Sequence, residues 1–148
     1  MKSPERHNSD GFTILELVIV IGIFSVLVLI ATPSLFNFYS RANASSEQSS
    51  VVSYLRLAQS WSLSNRDNNN HGIKISEEEY TLFTGASYAL RDTSLDETYD
   101  IPEEITLSGA TEIVFDRKSG RTTQSTINII SDIASRSIDI NSEGLISW

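Results

Sequence analysis

The sequence predicts an α+β fold: one long N-terminal helix, membrane-spanning in its first half and amphipathic in its second, packed on antiparallel β-sheet. Three patterns predict it. The apolar run from Phe12 to Thr32 carries one ionisable side chain, Glu16. Val51, Tyr54, Leu55, Ala58 and Trp61 then recur at three- and four-residue steps, which places them on one helical face. After His71 the pattern changes to short segments broken by Gly, Asn and Asp, as antiparallel strands and hairpins require.

The apolar run is a helix by length. A helix rises about 1.5 Å per residue, so about 20 residues span a ~30 Å hydrocarbon core, whereas strands usually run about 4–8 residues. Phe12–Thr32 is long enough to cross a membrane despite its β-branched content at Ile14 and Val18–Ile21. Lys2 and Arg6 precede it and Arg41 follows, a weak bias toward a cytoplasmic N-terminus. A removable secretory signal fits badly, because Ala31 follows a bulky Leu29 where a small residue is needed. In a plain anchor Glu16 would be a burden, about 2.5–3.5 kcal/mol at the bilayer centre and less near its edge. The remaining reading makes Gly11 and Glu16 working parts.

That reading rests on a resemblance. "GFTILELVIVIGIFSVLVLIATPSL", residues 11–35, resembles the N-terminus of type IV prepilins and type II secretion pseudopilins. Their pattern is a polar leader ending in Gly, then Phe, Thr, a Glu four residues after the Phe, and an apolar helix with a distant Pro. Gly11, Phe12, Thr13, Glu16, Leu17 and Pro33 stand in the matching places. Asp10 departs from it, since Lys or Arg usually precedes the glycine. The resemblance implies a type IV pilin-like fold and a structural subunit, a minor pilin or pseudopilin. It implies cleavage between Gly11 and Phe12 by a prepilin peptidase, N-methylation of Phe12, assembly through Glu16, and a helix kink at Pro33. Residues 1–11 would be the leader, 12–40 the transmembrane and filament-core half of the helix, and 41–148 the soluble domain. The implied partners are the peptidase, other pilin or pseudopilin subunits, an inner-membrane assembly platform and membrane lipid. The implied location is single-pass in the inner membrane, N-terminus cytoplasmic and C-terminal domain outside, and then a pilus or pseudopilus.

The amphipathic helix is expected over about 41–66, with Trp61 in its core stripe and "NRDNNN" as its terminator, because Asn and Asp favour caps and turns. "GIKIS" and "EYTLFT" read as a hairpin around "EEE". Ala86–Glu104 reads as a long loop. "EITLS" and "EIVFD" read as strands separated by a turn at Gly109; "RKSG" is a turn into "STINIIS"; "SIDI" and "LISW" form a last hairpin around "NSEG". "YLRLAQSWSLSN" leading into "IKI", with "VFDRKSGR" and "IDINSEGLISW", more loosely resembles the FimT/GspH-type minor pilins and pseudopilins.

Composition excludes several functions. The chain has 148 residues and a formal net charge of −8, room for one domain and an anchor. Without cysteine it has no disulfide or thiol chemistry. Of its two histidines, His7 lies in the expected leader and His71 beside a glycine, where it reads as a solvated loop residue. No Ser/His/Asp pattern, phosphate-binding loop or zinc spacing occurs, so no enzyme, cofactor or metal is expected. Asp96, Glu97, Asp100, Glu103 and Glu104 form an acidic loop without the ligand spacing of a calcium hand, and read as solvated. The alternative function is DNA binding during uptake, through Arg117, Lys118, Arg121 and Arg136. Residues 41–148 hold 9 basic and 16 acidic side chains, a net of −7, so nucleic acid is not expected as a partner.

Overall fold

The computed structural model describes residues 11–148, and the side chains of all of these except 30–37. The expected leader and His7 therefore lie outside the described residues. The chain divides into two compact units, one ending at Asn37 and one starting at Phe38.

Helix α1 is assigned over Ile14–Leu63, so Pro33 falls inside a helix rather than at its end. The side chain at Pro33 is outside the described ones, and so is any contact that would bend the helix there. In the first unit every large apolar side chain from Phe12 to Leu29 is exposed, from 41% at Val20 to 85% at Ile14. Among the described residues no helix is long and apolar enough to cross a membrane.

In the second unit α1 ends at Leu63, three residues before the expected boundary. Asn65 follows in the left-handed conformation (φ 56°), the geometry that commonly stops a helix, and Arg66–Asn68 form a short 3-10 turn. The expected apolar stripe is the buried one. Val51, Leu55 and Ala58 are inaccessible, joined by Ala44 and Val52, and Tyr54 and Trp61 are half-buried against them.

Two antiparallel four-stranded sheets complete this unit. The first comprises β1 (His71–Ile75), β2 (Glu79–Thr84), β3 (Glu97–Asp100) and β5 (Glu112–Phe115), in the order β3-β2-β1-β5. The second comprises β4 (Thr106–Gly109), β6 (Ser125–Ile130), β7 (Ser135–Ile140) and β8 (Ile146–Ser147), in the order β4-β6-β7-β8. The expected hairpins β1–β2 and β7–β8 are present, with Ile73 opposite Leu82 and Ile140 opposite Ile146. Alternation aims Ile127, Ile129, Ile138 and Ile140 into the core that α1 covers.

One sequence expectation is corrected here. The segment 86–104 is not a plain loop: it contains β3 and two 3-10 turns, Tyr88–Leu90 and Thr93–Leu95. It folds onto the outer face of the first sheet, where Phe83 is buried and meets Tyr88 edge-on with ring centroids 5.6 Å apart. Arg91 stacks on Tyr88 at 3.6 Å and donates to Asp96 Oδ2 at 2.7 Å. Opposite Phe83 stands Gly72, where a Cβ would lie 2.7 Å from the Phe83 ring, so only glycine lets the ring cross β1. Gly109, with a positive φ of 99°, ends β4 where the turn is expected, and the chain then crosses to β5 in the other sheet.

Polar side chains of α1 fix its position on both sheets. Glu47 is buried, and its Oε1 accepts a 2.6 Å hydrogen bond from the Tyr80 hydroxyl. Burial, and then the Glu47 carboxylate, hold the Tyr80 phenol far above its ordinary pKa range. Gln48 donates to the Ser137 carbonyl at 2.9 Å, and the Gln59 amide donates to Gly144 O at 2.8 Å and Gly120 O at 3.2 Å. Buried polar groups with such partners set the register of helix on sheet, which apolar contact alone leaves loose.

Candidate functional site

The residues singled out by the sequence lie at the start of α1. Thr13 is its N-cap: its Oγ1 accepts from the Glu16 backbone N–H at 3.2 Å, and its carbonyl accepts from Leu17 N–H at 3.2 Å. Thr13-x-x-Glu16 is thus the spacing of a capping box, a signal legible in the sequence and not read there. The cap uses only the backbone of Glu16. Its carboxylate stays exposed in the first helical turn, where the helix dipole favours a negative charge by about 0.3–1 kcal/mol.

Gly11 precedes the cap in an exposed position outside any helix or strand. A Cβ placed there would meet nothing within 4 Å, and Gly11 is not among the positive-φ glycines. The fold of this chain therefore does not require glycine at this position. From here to Leu29 the apolar side chains point in every direction around the axis, and a helix apolar on all sides needs lipid or protein around it.

Of the basic residues of the alternative reading, Arg117, Lys118 and Arg121 lie in the turn after β5, and Arg136 lies on β7. Arg117 is committed to the helix end: its N–H donates to Asn70 Oδ1 at 2.9 Å, and its Nη1 to Asn68 O at 2.8 Å and Asn68 Oδ1 at 2.7 Å. Arg121 pairs with Glu143 at 2.8 Å. Lys118 and Arg136 are exposed, one in the turn after β5 and the other on β7. Among the described residues no group of three His, Cys, Asp or Glu side chains could hold a metal ion, and within the acidic loop Asp96 is paired with Arg91.

His71 contradicts its reading as a solvated residue. It opens β1 and is wholly buried, edge-on to Trp61 with ring centroids 5.7 Å apart. The tertiary fold overrides its loop-like sequence setting, because pairing of β1 with both β2 and β5 places its first residue beneath the end of α1.

Comparison with known proteins agrees with both halves of this description. The family described as the prokaryotic N-terminal methylation motif matches residues 6–32. Among solved structures, the minor pseudopilin EpsH from the type 2 secretion system of Vibrio cholerae has a similar fold. The TM-score is 0.51 at 13% identity, over 73% of this chain and 94% of that one. The motif is matched at the N-terminal end of the chain, and the likeness to the pseudopilin is one of fold. The α+β pilin-like architecture is that of the pseudopilin, with the N-terminal helix packed on antiparallel sheets. No curated protein matches the sequence.

Proposed function

We propose that the chain is a structural subunit, a minor pilin or pseudopilin, of a type IV pilus or type II secretion pseudopilus. One observation carries this: a helix apolar on every side, with one carboxylate in its first turn, preceded by a glycine its own fold does not need. Each feature has a use outside the monomer. Gly11 lets the backbone enter a peptidase cleft in extended form. Cleavage there makes Phe12 the new, methylated N-terminus and leaves Thr13 as the helix cap. Glu16 then pairs with the Phe12 amine of a neighbouring subunit, since a carboxylate in an apolar assembly is tolerated only when paired. In this reading residues 1–11 are the leader, 12–40 the membrane and filament-core segment, and 41–148 the domain outside the cytoplasm. Pro33 supplies the bend, and the assembly platform and lipid hold the subunit before incorporation.

Expressed in cells that carry the assembly machinery, the mature chain should be recovered in the sheared filament fraction or crosslinked to other pilin subunits. Recovery only as a dispersed membrane protein would reject the reading. Nucleic acid is a separate test. With Arg117 and Arg121 engaged, the full chain in detergent should bind duplex DNA weakly, and log affinity should not fall steeply with log salt. Submicromolar, salt-sensitive binding lost on changing Arg117, Lys118 and Arg121 would restore DNA uptake as the function.

A further inference from the structure

His71 sits where three elements meet, and its imidazole has no hydrogen-bond partner on either ring nitrogen. Its backbone N–H donates to Ser62 Oγ at 3.0 Å, and that hydroxyl donates to the Phe115 carbonyl at 3.0 Å. The end of α1 is thereby tied to β1 and β5 directly under the ring. Facing it from α1 are Trp61 and Ser62, from β2 Thr84, from β5 Phe115, and from the helix-terminal turn Arg66 and Asp67. Among the described residues the anion beside it is Asp67: Oδ2 lies 3.8 Å from Nε2, too far for a hydrogen bond, and 3.5 Å from Arg66 Nε, which shares its charge. Asp116, just beyond Phe115, is exposed and bonds through its backbone in the turn to Arg121, and the Arg117 guanidinium is held by Asn68.

The segment beside this ring is a tight turn closed mostly by its own backbone bonds, Asn65 N–H to Ser62 O, Asn68 N–H to Asn65 O and Asn69 N–H to Arg66 O, and joined to the sheet through Asn70 O, which accepts from Gly85 N–H. Asn65, Asp67 and Asn68 all have left-handed backbones, with φ of 56°, 51° and 52°. Arg66 lies over Trp61 at 4.2 Å, Arg117 grips Asn68 and Asn70, and Lys118 N–H donates to the Ser62 carbonyl at 2.8 Å. We propose that Asn65–Asn70 is a proton-operated latch with His71 as its sensor: a neutral ring keeps it closed over the end of α1, and a protonated ring opens it. A charged imidazole in this position is a buried cation whose one nearby carboxylate, Asp67, is beyond hydrogen-bond reach and shared with Arg66, and exposure of the segment would solvate it. The inference goes beyond assembly and holds whether or not the chain enters a filament.

The sign follows from burial, which pushes the His71 pKa down; Asp67 raises it, and Arg66 adds to the lowering. Above the ordinary histidine value of about 6.5 both closed and open forms are neutral, and pH has no effect. Below it the open form takes up a proton that the closed form refuses. The opening constant then rises about tenfold per pH unit until the closed form also titrates.

The test is amide hydrogen exchange of the full chain in detergent micelles, corrected for intrinsic rate, between about pH 7.5 and pH 5. Opening constants for the amides of Asn68, Asn69 and Lys118 should rise about tenfold per unit below about pH 6.5, while those of β6 stay constant. His71→Phe keeps an aromatic ring and removes the proton, and should flatten the profile; both chains carry His7, so the difference belongs to His71. A flat wild-type profile, or the same slope in His71→Phe, overturns the latch. Should that variant fail to fold, the wild-type ring resonances decide alone: a His71 titrating at or above about 6.5 in the closed protein overturns it too.

Discussion

Glu16→Ala should leave insertion and cleavage intact and reduce incorporation of the mature chain into filaments by a hundredfold or more. The helix cap survives, because Thr13 Oγ1 holds the backbone N–H of residue 16 and not its side chain. Insertion survives because the substitution removes a charge from an apolar segment. On the proposed assembly, what is lost is the partner for the Phe12 amine of the next subunit. An unpaired buried charge costs about 3–5 kcal/mol, and about 1.4 kcal/mol is a factor of ten. Glu16→Gln keeps the shape and should behave like alanine. Filament recovery of either variant at wild-type levels, with normal cleavage, would remove Glu16 from the assembly mechanism.

The second large effect is expected far from the motif. Gly144→Val should destabilise the second unit by about 3 kcal/mol or more. The residue has a positive φ of 82°, which costs a residue with a side chain about 1–2 kcal/mol. Its Cβ would also collide with the Gly120 carbonyl oxygen and the Gln59 amide nitrogen. The Gln59 bonds to Gly144 O and Gly120 O would be lost together, and unsatisfied buried groups cost about 1–3 kcal/mol each. Gly22→Ala is the contrasting change. A Cβ there meets nothing within 4 Å, and alanine favours a helix by about 1 kcal/mol over glycine. Thermal unfolding followed by circular dichroism separates them: a Gly144→Val midpoint equal to wild type would show that the Gln59 clamp contributes nothing.

What could be read from the sequence was local. The stripe Val51, Leu55, Ala58 announces the helix face, and β1–β2 and β7–β8 are hairpins whose turns lie between their strands. What could not be read depends on distant partners. β3 pairs only with β2 at a sheet edge, and its "ETYD" has too little apolar alternation to signal a strand. The placing of β4 and β5 in different sheets is decided by long-range pairing, of β5 with β1 and of β4 with β6. His71 looked like a loop residue because the elements that bury it are remote in sequence. The bonds of Arg117 to Asn68 and Asn70 were not legible either, because those partners are remote too. At the motif, Gly11, Phe12 and Glu16 were legible as a pattern, and Thr13-x-x-Glu16 was legible as a cap.

The central claim is that the chain is a processed pilin-type subunit, and its mature N-terminus tests that most directly. Intact-mass and N-terminal fragment analysis of the chain, isolated from cells with an active prepilin peptidase, should show a protein beginning at Phe12 and carrying one added methyl group. A chain still beginning at Met1, or one cut beyond Ala31 as a secretory signal would be, would contradict the account.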